Sequence, residues 1–217
     1  MQDLVKQEQF ELEVLDKMNS AKMLKGLIFG GGTMLRLCYG LNRFSVDLDF
    51  WVAGKIDSGI LLKDMKALLA STYSITDAAD KFNTLLFEVR SKDYPRLLKI
   101  EIRKEEKKVA VEQSIAFSKY SNTVLLGAVS LKDMMASKVE ALLDRKEIRD
   151  AFDMEFLVRK GIVIEASPET RERVRAVIAS FTKKDYTSKL GSLLEEEERK
   201  YYSSENFKIL LNALQEK

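Results

Sequence analysis

The sequence predicts an α+β fold: a small mixed sheet flanked by helices and followed by a helical C-terminal half. Three observations carry that expectation. Short apolar runs of strand length, several of them ending at glycine, recur up to about residue 127. From Ser130 onward the apolar spacing is helical throughout. With 46% hydrophobic residues, 32% charged residues and 2 prolines in 217, the chain has the composition of a globular protein of one domain or two small ones, and disordered and fibrous classes are excluded. The boundary falls near residue 128, giving an α/β domain over 1–128 and a helical domain over 129–217 that is expected to complete a cleft between them.

Residues 3–24 hold almost no helix breaker. Their apolar positions Leu4, Val5, Leu12, Leu15, Met18 and Leu24 recur at roughly helical spacing among Gln, Glu and Lys, which predicts one amphipathic helix. Leu27, Ile28 and Phe29 form a short strand that stops at Gly30, Gly31 and Gly32, and the helical composition of 33–39 ends at Gly40. Leu48, Phe50 and Val52 then alternate with Asp47, Asp49 and Trp51, as in a strand with one wet or functional face. A helix over 57–71, strands over 82–90 and 97–103, and a last strand near 123–127 complete the first half. The second half predicts helices over 130–145 and 147–161 and in segments beginning near Ser167, Lys184 and Ser204. Ser130 with Asp133 three residues on resembles a helix start, Gly161 a C-cap, and Pro168 a first-turn proline. The run Glu195 to Glu198 reads as a solvated helix face.

Lys plus Arg number 36 and Asp plus Glu 34, so the net charge of +2 gives no overall pull toward nucleic acid or membrane, and any basic surface must be local. No apolar run approaches the roughly 18–20 residues of a membrane span. The opening residues lack the apolar stretch of a signal peptide, so no membrane partner and a cytoplasmic location are expected. A single cysteine, Cys38, cannot form an internal disulfide, and zero histidines remove His-based zinc sites and Ser/His or Cys/His catalytic pairs. Any chemistry must use carboxylates, Lys, Arg, hydroxyls or backbone amides.

Residues 30–52 carry the strongest chemical signal. Asp47 and Asp49 lie two apart in a strand, so both carboxylates take one face with Cα atoms about 6.5–7 Å apart. Hard oxygen ligands so spaced suit Mg²⁺ or Mn²⁺, and two such ions about 3.5–4 Å apart clamp the attacking and leaving oxygens of a phosphoryl displacement. Farther on, Leu98, Ile100 and Ile102 are core-facing, which puts Lys99, Glu101 and Arg103 on the opposite face and makes Glu101 the natural third ligand. Three glycines let the backbone approach a triphosphate, the following helix N-terminus offers free N–H groups, and Thr33 adds a hydroxyl. A glycine turn or a D-x-D pair alone is weakly specific. Glycine turn, short helix, Arg43-x-Ser45, then D-x-D on a strand with a later strand acid is a far rarer order.

These residues, GGT followed by a short helix and RFSVDLDF, resemble the AbiEii-type nucleotidyltransferase toxins, a branch of the polymerase-beta-like nucleotidyltransferase superfamily that includes the MenT-like toxins. The run LKDMMASKVEALLDRKEIRDAFDMEFL resembles the same family's second signature, a helix carrying Lys, an Arg-rich turn and an R-D-x-x-D helix. The resemblance spans about residues 27–160. It implies a nucleotidyltransferase-like sheet and a Mg²⁺- or Mn²⁺-dependent enzyme that moves a nucleoside monophosphate from an NTP to an acceptor. It further implies an RNA acceptor, in particular the tRNA acceptor end, and a toxin of a bacterial toxin–antitoxin or phage-defence pair with a cognate antitoxin. On that match Asp47, Asp49 and Glu101 hold the metal and, with Lys138, form the catalytic set. Gly31, Gly32, Thr33, Arg43, Ser45, Lys138, Arg149, Asp150 and Asp153 form the nucleotide-binding set. Two departures stand out: Glu101 where Asp is also common, and Thr33 where Ser is frequent.

Each residue has a plainer reading beside it. Asp47 and Asp49 could line a solvated strand face, although Asp is depleted in strands and the two repel without a cation. Glu101 lies between Lys99 and Arg103 and could belong to an ordinary charged face. Lys138 could be a surface lysine on an amphipathic helix, and Arg149 with Asp153 a helix pair four residues apart. Arg43 and Ser45 could position phosphates or cap a loop, Trp51 could stack a base or pack, and Cys38 reads as a small core residue. Residues 90–108 hold the one local basic concentration, compatible with a passing phosphate backbone or with a hairpin having solvated ends. A small-molecule acceptor of the aminoglycoside kind and a non-catalytic nucleotide-binding module on the same fold are the alternative functions.

Overall fold

The computed structural model describes residues 2–118 and 123–215. The chain divides into two compact units, one of Met1–Gly40 with Phe44–Val129 and the other of Leu41–Arg43 with Ser130–Lys217. The first holds a seven-stranded mixed sheet and the second is helical, as an α+β sequence requires.

In the first unit the strands are β1 (Leu27–Gly30), β2 (Asp47–Val52), β3 (Ser74–Asp80), β4 (Thr84–Arg90), β5 (Leu98–Glu106), β6 (Val111–Ala116) and β7 (Val124–Val129). They are ordered β3-β4-β5-β2-β1-β7-β6. β2 is central, antiparallel to β1 and parallel to β5. β1 is buried along its whole length, which its unbroken apolar run demands. The alternation in β2 sends Leu48 and Phe50 into the core, where the rings of Phe50 and Phe29 lie 5.2 Å apart. Helix α1 (Gln2–Ser20) contributes Phe10, Leu12, Val14, Leu15 and Met18 to the buried core of this unit. Helices α2 (Gly31–Tyr39) and α3 (Ser58–Ala70) complete it, α3 capped by Asp57, whose carboxylate accepts from the Ile60 amide at 3.0 Å.

Three local expectations need correction. α1 stops at Ser20, and a 3₁₀ turn over Met23–Gly26, entered through Lys22 at φ 62°, leads into β1. No separate glycine turn exists: Gly30 closes β1 and Gly31 already opens α2. Two strands, β3 and β6, escaped the periodicity. Both are sheet edges held chiefly by one backbone ladder, so neither needs an alternating apolar pattern.

The second unit contains α4 (Leu131–Arg145), α5 (Ile148–Arg159), α6 (Pro168–Ala179), α7 (Glu196–Glu205) and α8 (Lys208–Ala213), with a π-helical turn over Asp185–Leu190. Its start signals act as their chemistry requires. The Ser130 hydroxyl accepts from the Asp133 amide at 3.1 Å, and Ser167 accepts from the Thr170 amide at 3.2 Å just ahead of Pro168. Gly161, at φ +83°, donates to the Val158 carbonyl at 2.9 Å where α5 ends. The expected segments near Lys184 and Ser204 become the π-helical turn and the pair α7 and α8. The acidic run opens α7, where carboxylates suit the helix dipole. Among the described residues no helix is long and apolar enough to cross a membrane.

Candidate active site

The register of the first unit assembles the acids. Asp49 of β2 lies opposite Gly30 of β1 on one side and Glu101 of β5 on the other, while Asp47 lies opposite Lys99. Residues paired across strands share a face, so Asp47, Asp49, Lys99 and Glu101 project to one side of the sheet, away from Leu48 and Phe50. All four are half-buried.

Gly31 makes room for Asp49. Its φ of +74° is a conformation that side-chain-bearing residues rarely adopt, and a Cβ there would fall on the Asp49 carboxylate, 3.0 Å from its Cβ and Cγ. The N-cap of α2 is Gly30, which has no side chain to cap the helix. Thr33 is fully buried, and its hydroxyl donates to the Asp47 carbonyl at 2.6 Å. Its proton is thus directed at the backbone of β2, which locks the glycine element to the acid strand.

Lys99, which the sequence reading placed in the basic 90–108 segment as part of an RNA path, stands at the acids themselves. Its ammonium contacts Glu101 at 2.5 Å. That bond first, and then the charges of Glu101, Asp47 and Asp49, hold the lysine above its ordinary value against partial burial. The Lys99 ammonium therefore sits in the field of all three acids. Lys99 falls on the face of Glu101 by the period-two rule, and the register with Asp47 brings it beside the aspartates. Trp51, one step along the acid face, is packed at 4% exposure with the Lys107 ammonium 4.9 Å from its ring centroid, which favours packing over stacking on a base.

Beside the acids, α1 contributes two further buried polar groups. Gln7 donates through Nε2 to the Val46 and Leu97 carbonyls at 3.4 and 3.3 Å, while its own Oε1 and Oε1 of Glu11 find no partner. Burial chiefly, then the charges of Glu8 and Asp47, push the Glu11 carboxyl well above the usual range, with Arg36 only partly offsetting them. Arg36 is held by Glu8 at 2.7 Å.

The second-signature residues gather in the second unit as a buried ion lattice. Arg43 grips Asp153 through two hydrogen bonds of 2.7 Å, Lys138 reaches Asp153 at 2.6 Å and Asp150 at 3.2 Å, and Arg145 binds Asp150 twice at 2.7 Å. Arg43 and Lys138 are 3% and 4% exposed, and both aspartates are fully buried, so their charges face one another rather than solvent. Burial alone would raise the Asp153 carboxyl; Arg43 and then Lys138 outweigh it and hold it below the ordinary value. Lys138 is therefore no surface lysine, and Asp153 pairs with Arg43 and Lys138 instead of forming the helix pair with Arg149. Arg149 and Ser45 are half-buried and take no part in the lattice. Cys38 behaves as a core thiol, its value pushed up to about 12 by burial.

Among the described residues no three carboxylates are gathered closely enough to form a ready cluster. Asp47, Asp49 and Glu101 nonetheless offer only hard oxygens, on one face, from strands about 4.8 Å apart, around a point already occupied by a positive charge. That chemistry fits Mg²⁺ or Mn²⁺, with Glu101 able to join the aspartates once its side chain turns from Lys99.

The family described as nucleotidyl transferase AbiEii toxin of a type IV toxin–antitoxin system matches residues 14–214. None of the curated proteins matches the chain. Among solved structures, JHP933 from Helicobacter pylori is 22% identical with a TM-score of 0.59, over 95% of this chain and 93% of that one. The nucleotidyltransferase toxin MenT4 from Mycobacterium tuberculosis is 16% identical with a TM-score of 0.53, over 94% of this chain and 85% of that one. At such identities these two structures bear on the fold alone.

Proposed function

We propose, for a chain that belongs to the family of AbiEii nucleotidyltransferase toxins, that the acid face of its sheet transfers a nucleoside monophosphate from an NTP to an RNA hydroxyl. The observation that carries this reading is the register that sets Asp49 between a glycine without a Cβ and Glu101. In the transfer the acceptor oxygen forms a bond to the α-phosphorus, the bond from that phosphorus to the oxygen bridging to the β-phosphate breaks, and pyrophosphate leaves. The acceptor proton goes to a carboxylate, because the chain has no histidine and Glu101 stands next to Asp49. Asp47 and Asp49, with Glu101, would hold Mg²⁺, which when bound neutralises triphosphate charge and acidifies the attacking hydroxyl. The N-terminus of α2, which Gly30 leaves without a side-chain cap, would receive phosphate oxygens, and Lys99 preserves the positive character of the site beside Glu101.

The test is incubation of the purified protein with each radiolabelled NTP in turn, Mg²⁺ and total RNA, followed by RNA sequencing. Labelled RNA and released pyrophosphate are expected, and both should fall by at least about 10²–10³-fold in Asp49→Ala. Wild-type labelling by folded Asp49→Ala would refute the assignment. One observation favours a second reading: the Lys99–Glu101 pair stands where a ready three-acid cluster would be. A non-catalytic nucleotide-binding module would show Mg²⁺-dependent thermal stabilisation by NTP with no pyrophosphate released on any acceptor.

A further inference from the structure

We infer that the β3–β4 turn, residues 81–83, is a docking point for the single-stranded end of the acceptor, with Phe82 as the ring on which a base stacks. The inference rests on RNA being the acceptor. Phe82 is 94% exposed, more than any other large hydrophobic side chain among the described residues. A lone exposed apolar residue carries no meaning by itself. Three further observations give this one a role.

The first is its line to the acids. In the β4–β5 ladder Leu86 lies opposite Glu101 and Thr84 opposite Arg103, so Thr84 and Arg103 continue the acid face along the strands toward the turn. Phe82 is four residues from the level of Glu101, two of them in the turn, so at most about 13 Å along the chain. An RNA end whose terminal hydroxyl lies at Asp49 and Glu101 would carry its inner nucleotides along this row.

The second is that the turn is fixed. The Lys81 amide donates to the Thr84 carbonyl at 2.9 Å, and the Lys104 amide donates to the Asn83 carbonyl at 3.0 Å. Asp80 is held by the Lys104 ammonium at 2.7 Å and accepts from the Ser58 hydroxyl at 3.2 Å, which keeps its carboxyl below the ordinary range. A ring on a pinned turn loses little freedom when a base settles on it.

The third is charge. Lys81, Arg103 and Lys104 lie at the turn in sequence and register against Asp80, which Lys104 already neutralises. An aromatic platform flanked by cations suits single-stranded nucleic acid, whose bases all present a π-face. An apolar protein partner would need a contiguous patch, and no other residue from 80 to 84 is an exposed large hydrophobic.

The test compares wild type with F82A, F82L and F82W, in RNA labelling and in binding of a short oligoribonucleotide, single-stranded or as a blunt duplex. F82L keeps the apolar bulk and removes the π-face. F82A and F82L should raise KM for RNA by about 5- to 100-fold with melting temperatures held, and F82W should retain wild-type KM. The added emission of F82W over wild type should be quenched by the single strand and not by the duplex. An unchanged KM in F82A while the wild type labels RNA would overturn the docking point and leave the transferase reading standing, as would emission that ignores the single strand. A wild type that labels no RNA with any NTP would instead defeat the acceptor reading, and the docking inference with it.

Discussion

At Gly31 a backbone constraint and a side-chain constraint coincide, since its φ is +74° and its missing Cβ is the space that the Asp49 carboxylate fills. Gly31→Ala should therefore cost about 1–3 kcal/mol of stability from the strained backbone, and should lower nucleotide transfer by more than that loss of folded protein explains. Melting curves set beside labelling rates separate the two effects. Glu11 gives a pH prediction. Its folded-state value is raised, so its contribution to stability is complete below the unfolded value near 4.5 and disappears as pH rises through the folded value. Glu11→Gln keeps a neutral group and supplies N–H donors one helical turn from the orphaned Gln7 Oε1, so it should be more stable than wild type at pH 8, with the gap closing toward pH 4. A gap independent of pH would mean that Glu11 is ionised in the fold. At this scale the two aspartates were legible because period two puts Asp47 and Asp49 on one face and Glu101 on the non-core face of its own strand, while only the register joins the two faces. Glu11 was not, because a glutamate on an amphipathic helix looks solvated until the strands that cover it are known.

Several elements that were read correctly have one-sided burial, whereas β1 was legible from an unbroken apolar run. α2, β2, β5 and α4 each hide one face, so each shows the period of its backbone. β3 and β6 lie at the two edges, and SITDAAD and VEQSIA carry no clear alternation because the ladder, not a buried face, holds them. In the helical unit, Glu155 of α5 supplies a clamp that no periodicity indicates. Fully buried, it accepts from the Tyr202 hydroxyl of α7 and from the Leu210 amide of α8, both at 2.9 Å, and from Arg159 at 3.2 Å. Glu155→Ala would strand a buried hydroxyl and a buried amide, so it should destabilise the protein by about 3–5 kcal/mol. Chemical denaturation checks the magnitude, and hydrogen exchange should show protection lost in α7 and α8 before α4. A loss below about 1 kcal/mol would mean that water replaces the carboxylate.

For the whole chain the informative contrast is between a catalyst and a stoichiometric binder, because a net charge of +2 gives neither form a general affinity for nucleic acid. A transferase turning over at about 10 s⁻¹ modifies on the order of 10³ acceptors per molecule within minutes. A module that only binds can silence no more targets than there are copies of it. Membership of the toxin family makes growth the natural readout. Expression in a bacterial host without a cognate antitoxin should arrest growth at copy numbers far below those of the proposed acceptor. Asp47→Ala, expressed to the same level and folded, should not arrest growth at that dose. Titrating the inducer while counting protein copies distinguishes the cases. Arrest only when copies approach the number of acceptors, and equally with Asp47→Ala, would fit sequestration and contradict catalysis at the acid face. Arrest at low copy number that disappears with Asp47 would place toxicity in the same carboxylates that the register brings beside Lys99 and Glu101.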